Sequence, residues 1–400
     1  MSIKASVGLS QGDDSHAVGA NAAQEALERL GVPKADILFV FSSSQYDQEK
    51  MLAGIRSVTM DTLLVGCSTA GEITTEGPVP RASVAIMAVK ADGVSFFAGV
   101  GELIGEGAHQ AGAALADSIT KQAQGATLGA CIMLSDVITG NGADVVKGAI
   151  SGLGDLVPIV GGAAGDDFEF RQTFQYLNDK VYSGAVVGVA LSGAFKMGTG
   201  VRHGWIPIGL PKRVTRSEGS VLHELDGRPA ISLYEEYFGP EQAAELKQET
   251  LARLAIMYPL GMRVKGSDEF LIRDPIFANA TGSITCAAEI PEGSDIRLMI
   301  GSREEALRVA REAAANALAQ LAGATPKAVI IFSSVARSKL FGERNGEEIN
   351  VVQEIVGQDI PLVGFYTYGE HAPLGKEVCI GEHCNSVFHN ETIVVVILGE

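Results

Sequence analysis

Three versions of one phrase recur along the chain, and an internal repeat limits the possible folds more than any single motif does. Val65-Gly66-Cys67-Ser68-Thr69-Ala70-Gly71-Glu72 and Val363-Gly364-Phe365-Tyr366-Thr367-Tyr368-Gly369-Glu370 share one pattern, and Val160-Gly161-Gly162-Ala163-Ala164-Gly165-Asp166 is a copy shorter by a residue. Each follows an apolar run and ends in glycine plus a carboxylate, as a strand edge opening into a tight turn of small residues does. Upstream, Ile37 to Phe41, Cys131 to Leu134 and Val329 to Phe332 read as buried strands, each followed by a serine: Ser42, Ser135 or Ser333. A helical stretch fills each gap, and further strands follow at Ser83 to Val89, Ala185 to Leu191 and Thr392 to Leu398. Helical segments at Ala17 to Leu30, Ala108 to Ala123 and Arg303 to Leu321 precede the units.

The expected fold class is therefore α/β, with mixed sheets built from three repeated helix-strand-helix-strand-strand units. The texture changes near Gly198. Val201 to Gly209 carries the only tryptophan, and Glu218 to Gly239 reads as a strand, an Asp226-Gly227 turn and a short helix closed by Gly239-Pro240. Strands resume at Met262 to Val264, Phe270 to Arg273 and Ile296 to Ile300. This β-rich insert falls between units two and three, and a boundary near residue 195 gives two expected domains, 1–195 and 196–400. In the second unit the helix is rich in alanine, so Ala113→Leu is expected to overpack a close contact between helix and sheet.

Composition narrows the function classes. The 48 glycines among 400 residues exceed the usual share of about 7% but follow no G-X-Y period, which points to close backbone packing. With 31 basic against 48 acidic side chains and a net charge of -17, the chain lacks the basic footprint of a nucleic-acid or anionic-membrane surface. No apolar run approaches the length of a membrane span, and residues 2–14 have no signal-peptide pattern. Five cysteines, never spaced C-x-x-C, fit reduced thiols and a cytoplasmic location.

The ordered motifs carry a resemblance. Ser42-Ser43-Ser44, the phrase at 66–72 and the phrase at 161–166 resemble the N-terminal half of the FIST family. Gly204-Trp205-Ile206-Pro207-Ile208-Gly209, Leu225-Asp226-Gly227-Arg228-Pro229-Ala230, the phrase at 364–370 and Phe388-His389-Asn390-Glu391-Thr392 resemble its C-terminal half. Together they span nearly the whole chain and leave no stretch for a kinase, cyclase or methyl-accepting output module. The resemblance implies a sensory role, with a small-ligand receptor acting on a signalling partner. Similarity to a free-standing branch of this length further implies a haem-binding nitric oxide sensor that regulates a histidine kinase. His203 stands where the family pattern commonly has glutamine. His223 and His371 also depart from it, whereas His389 follows it, so His203 ranks first as a haem ligand.

A haem iron needs an axial imidazole and a dry pocket, and the second ring nitrogen needs a partner that fixes the tautomer. His203, beside Gly204 and Trp205, is the expected iron ligand; the plainer alternative is a polar residue at a strand end. With no C-x-x-C-H, any haem would be non-covalent. The rival is a haem-free receptor for an amino acid or similar metabolite at the glycine phrases. Backbone N–H groups there would cradle an anion, Glu72, Asp166 and Glu370 would orient an amino group, and Gly66, Cys67 and Tyr366 would stand beside them. The structural alternative is that the glycines let repeated strands pack while the carboxylates cap turns. A third reading makes Cys67 a thiol nucleophile, for which no local base or oxyanion site is evident. Cys379 and Cys384 with His383 fall short of a closed zinc site. The leading expectation is a non-enzymatic sensor, and its output is assigned to the insert because the insert breaks the repeat.

Overall fold

The computed structural model describes residues 2–79, 82–239, 256–264, 269–373 and 386–400. Pro80, Pro240, Cys379, His383 and Cys384 lie outside the described residues.

The first unit comprises β1 (Ile3–Ser10), α1 (Ser15–Leu30), β2 (Ile37–Ser43), α2 (Gln48–Thr59), β3 (Leu63–Thr69), a small hairpin of β4 (Glu72–Thr74) and β5 (Gly77–Pro78), and β6 (Val84–Ala91). The second repeats this plan with β7 (Val94–Gly101), α3 (Ala108–Ala123), β8 (Leu128–Ser135), α4 (Gly142–Leu153), β9 (Ile159–Ala163), a hairpin of β10 (Gln175–Leu177) and β11 (Lys180–Tyr182), and β12 (Val186–Gly193). Asp14 caps α1, its carboxylate accepting from the Ala17 N–H, and Gly31 closes it in a left-handed turn, as the sequence around both ends dictates. Asn141 caps α4 in the same way through the Ala143 N–H.

The third unit opens with β13 (Lys196–Arg202) and then departs into the insert: β14 (Trp205–Glu218), β15 (Val221–Leu225), β16 (Arg228–Pro229), α5 (Ser232–Phe238), β17 (Leu260–Arg263), β18 (Phe270–Arg273), β19 (Pro275–Ala278), β20 (Ile284–Cys286) and β21 (Asp295–Gly301). The chain returns through α6 (Arg303–Gln320), β22 (Pro326–Ser334), α7 (Val335–Phe341), a 3-10 turn, α8 (Gly346–Val356), β23 (Leu362–Thr367), a hairpin of β24 (Glu370–Pro373) and β25 (Ser386–His389), and β26 (Ile393–Gly399). A strand thus leads each unit ahead of its first helix. Because β13 pairs along its length with β26, the insert emerges between the first strand and first helix of the third unit. Among the described residues no helix is long and apolar enough to cross a membrane.

The three unit sheets have matching strand orders: β1-β6-β2-β3-β10-β11, β7-β12-β8-β9-β24-β25 and β13-β26-β22-β23-β4-β5. In each, the central and phrase-bearing strands run parallel and the last two strands come from a neighbour. The first unit gives its hairpin to the third sheet, the third gives its own to the second, and the second gives its own to the first. The inner faces meet in one core that includes Phe39, Phe41, Ile132, Leu134, Phe332 and Phe365. Phe365 lies 4.7 Å from Phe41 and 5.6 Å from Phe332, ring centre to ring centre. Helices cover the outer faces, so the central strands are buried on both sides and read as continuous apolar runs.

One packing expectation shifts. The close approach of helix to strand in the second unit is at Ala111, whose carbonyl lies 1.8 Å from where a Cβ on Gly101 would stand. Ala113 instead lies against Gly148 and Gly152 of α4.

Candidate functional site

The three glycine phrases converge and hydrogen-bond to one another in a closed ring. The Ala70 N–H donates to Tyr366 O and the Tyr366 N–H to Gly71 O; the Tyr368 N–H donates to Ala163 O and the Ala163 N–H to Gly369 O. The Gly165 N–H donates to Ser68 O and the Asp167 N–H to Thr69 O. A Cβ at Gly66, Gly161 or Gly364 would lie about 2 Å from the carbonyl oxygen of Val40, Met133 or Ile331 on the adjacent central strand. These glycines therefore serve close strand packing, and the backbone N–H groups that would cradle a ligand are already engaged in the ring.

The carboxylates of the phrases are likewise taken up internally. Glu72 accepts from the Thr69 and Ser83 hydroxyls. Glu370 accepts from the Thr367 hydroxyl, from the Thr392 N–H at 3.0 Å and from its hydroxyl at 2.6 Å. Burial pushes both carboxyls up to about 8, because the desolvation of a charge outweighs these hydrogen bonds, which pull the other way. Asp166 caps the following loop, accepting N–H bonds from Phe170, Arg171 and Gln172 and the Tyr368 hydroxyl. Tyr366 is buried, its ring over Gly71. Cys67 belongs to the central core, and burial raises its thiol pKa well above the ordinary value. That opposes thiolate formation, and the side chain has no route to solvent.

His203 and Gly204 form the link between β13 and β14, where the chain passes from the third sheet into the insert. Gly204 has φ +93°, and a Cβ there would come 2.8 Å from the Ala306 Cα, so both conformation and space require glycine. The link borders a cleft of about 340 Å³, at the small end of ligand pockets. Arg202, His203, Trp205, Phe270, Glu305, Arg308, Glu312, His389 and Thr392 are among its lining residues. Arg308 pairs with Glu305 and Glu312, while Arg202 stands more loosely at 3.9 Å from Glu269 and 3.8 Å from Glu312. Burial, reinforced by Arg337 and Arg202, lowers His203 to about 4, and burial lowers His389 to about 4, so both imidazoles are neutral near pH 7.

This environment does not fit haem. The Trp205 backbone N–H donates to His203 Nδ1 at 3.0 Å, which puts the ring proton of the neutral imidazole on Nε2 and leaves neither nitrogen with a free lone pair for an iron. Glu269, Glu305 and Glu312 line the cleft beside the arginines, where a macrocycle needs dry apolar walls. Trp205 is a buried anchor whose indole N–H donates to Ile256 O at 3.1 Å. The weaker histidine candidates are also engaged: His223 Nδ1 lies 3.0 Å from the Ser283 hydroxyl and His371 Nε2 lies 2.9 Å from the Ser135 hydroxyl.

Part of this site escaped the sequence reading. Glu305, Arg308 and Glu312 recur on one face of α6, opposite the buried alanines Ala306, Ala310, Ala313 and Ala317. That spacing was visible, but a charged helix face ordinarily means solvent. Behind the cleft, Arg337 on α7 forms a fully buried ion pair with Glu348 on α8 at 2.5 Å. The same guanidinium donates to His203 O and, at 3.0 Å, to Ala306 O, tying the link, α6, α7 and α8 together. No local pattern announces a contact across such distances in the chain.

Among known proteins, an uncharacterized protein of Mycobacterium tuberculosis (strain ATCC 25618 / H37Rv) is 26% identical over 394 residues, covering 93% of this chain and 95% of that one. An uncharacterized protein of Methanocaldococcus jannaschii is 38% identical over 78 residues, 20% of this chain and 15% of that one. Of the solved structures, cyanuric acid hydrolase from A. caulinodans aligns with a TM-score of 0.34 at 7% identity, over 99% of both chains. T. maritima PurL complexed with ADP aligns at 0.24 and 10% identity, over 99% of this chain and 71% of that one. Scores that low bear on neither fold nor chemistry. A FIST N domain matches residues 36–228 and a FIST C domain matches residues 230–373, so the chain belongs to the FIST family.

Proposed function

We propose that the protein is a haem-free sensor that takes a small polar metabolite in the His203 cleft and passes its occupancy to a signalling partner, a histidine kinase being the leading candidate. The FIST N and FIST C domains point to a sensory role in signal transduction. The observation that carries the ligand reading is the charge pattern of the cleft: loosely paired Arg202 faces Glu269 and Glu312, with two neutral imidazoles and aromatic side chains nearby. A dipolar molecule such as an amino acid would set its carboxylate on Arg202 and its ammonium on a glutamate. The glycine phrases, proposed by the sequence for the same ligand class, have their polar groups committed to the ring.

The cleft has walls from both the insert and the third unit. A ligand touching both favours one arrangement of the two, which is the differential affinity that a sensor requires. Thermal melts against a panel of amino acids and small dipolar metabolites test this reading. A true ligand at a hundred times its Kd stabilises the fold by about 2.7 kcal/mol, and Arg202→Ala abolishes the shift. If no panel member raises the melting temperature, or Arg202→Ala leaves the shift unchanged, the cleft reading fails. Addition of haemin, with the absorption spectrum as readout, is expected to give no stoichiometric haem band, and a band lost in His203→Ala would restore the haem reading. Autophosphorylation of a candidate kinase, with and without sensor and ligand, tests the output.

A further inference from the structure

Asp274 lies at the bend between β18 and β19 in the insert, and Glu391 lies at the bend between β25 and β26 in the third unit. Glu391 is wholly buried and has φ +65°, a left-handed conformation that a glutamate keeps only where its surroundings enforce it. Both of its carboxyl oxygens, and the buried Oδ1 of Asp274, lack an N–H or O–H donor among the described residues. What they face is each other, within hydrogen-bonding reach. Two carboxylates present only acceptors, and two such charges in a dry site repel. The contact becomes attractive when one of them carries a proton.

The surrounding groups decide which. Arg273 donates to the carbonyls of Glu289, Ile272 and Phe388 and favours a charge on adjacent Asp274. From the insert, Tyr234 and Cys286 also face the pair; from the third unit, Glu370 and Arg337 face it, and neutral His389 adjoins Arg273. Burial raises Asp274 to about 6 and holds Glu391 well above the ordinary carboxyl value. Because Arg273 favours the charge on Asp274, a single proton held between the two sits on Glu391, which donates it to Asp274. The absence of a three-ligand acidic or histidine cluster among the described residues favours a proton over a metal ion as what holds the contact.

We propose that Asp274 and Glu391 share one proton and form a latch that holds the floor of the His203 cleft against the insert. His389 and Thr392, two residues before Glu391 and one after it, line that cleft. The latch is a property of the free chain; only its effect on a ligand rests on the function proposed above. A carboxyl whose pKa is raised by folding keeps its proton near neutrality and loses it as pH rises through the raised value. The latch is closed at neutral pH and released on the alkaline side.

The test uses the full chain without ligand, so it stands apart from any failure of the ligand reading. In Glu391→Gln an amide N–H replaces the shared proton, and in Asp274→Asn the amide accepts from protonated Glu391 and donates to it once the proton is lost, so in neither variant does the contact depend on the proton. The infrared band of protonated carboxyl groups at neutral pH is expected to weaken by one group in Glu391→Gln and to persist in Asp274→Asn. Hydrogen-exchange protection of amides 389–392, corrected for intrinsic exchange, is expected to fall with alkaline pH about tenfold per unit more steeply in the parent than in either variant. Either variant suffices if the other does not fold. An unchanged carboxyl band in Glu391→Gln, or equal slopes, overturns the latch. So does stabilisation of the parent alone by calcium or magnesium chloride, which would make the pair a cation site.

Discussion

Buried ionisable side chains are expected to make the stability of this protein depend on pH through carboxyls and histidines shifted in opposite directions. Glu72 and Glu370, raised to about 8 from 4.5, hold protons in the folded chain that the unfolded chain releases, so stability falls as pH rises from about 4.5 to about 8. His203, His371 and His389, lowered from 6.5 to about 4, 3 and 4, stay neutral in the fold while the unfolded chain takes up protons. Their contribution is lost as pH falls below 6.5. The two sets oppose each other between those limits, and above 6.5 the carboxyls act alone. Melting temperature is expected to decline from pH 6.5 to 8, less steeply in Glu72→Gln by about 1.4 kcal/mol per pH unit; a flat profile would show that these carboxyls are ionised. At Arg337 the cost lies in what is left behind. Arg337→Ala strands Glu348 in the core and is expected to cost about 3–5 kcal/mol in chemical denaturation, and a loss below 1 kcal/mol would mean the pair is not holding the link.

At the scale of elements, the helices and central strands were legible because each shows one dominant local signal. The Asp14 cap and the Gly31 stop bracket α1, and Val329 to Phe332 form a run too apolar for any place but a two-sided interior. The strand leading each unit was harder to see, since β1 mixes buried, part-exposed and exposed residues without a period of two and carries Lys4, Ser6 and Ser10. The Asn178-Asp179 turn marks the hairpin of β10 and β11 in the sequence, but the exchange of hairpins gave no sign: β4 and β10 are three residues long, and nothing within three residues names a partner sheet. In the site, His203 and Trp205 were visible as odd residues in a glycine-rich link. Their cleft partners, on α6, β18 and the β25–β26 bend, are joined to them only by folding. Ala111→Leu tests the packing between helix and strand in the second unit. Overpacking there is expected to cost about 1–3 kcal/mol, more than Ala113→Leu, whose neighbours are on α4; the reverse order would return the close contact to Ala113.

For the molecule as a whole, the ring of phrases, the shared core and the exchanged hairpins make the three units mutually dependent. Residues 1–195 without the rest lack β24 and β25 along β9, while residues 196–400 lack β4 and β5 along β23. Each piece would expose a strand edge and much of the common apolar face, which invites aggregation. The full chain is expected to show one calorimetric transition for its three unit sheets, with neither half folding cooperatively alone. A soluble half that melts near the temperature of the whole would refute that dependence.

A chain of tandem repeats ordinarily grows or shrinks by gaining or losing a copy, because each unit touches only its neighbours. Here every hairpin completes another unit's sheet and the last hand-over returns to the start. Deleting one copy orphans a hairpin and leaves a sheet short; adding a fourth opens the circle. Copy number is therefore locked at three, and length can vary only where the chain leaves the circle and comes back, as it does between β13 and α6. The segment that lends walls to the His203 cleft is thus the one the architecture leaves free to diverge.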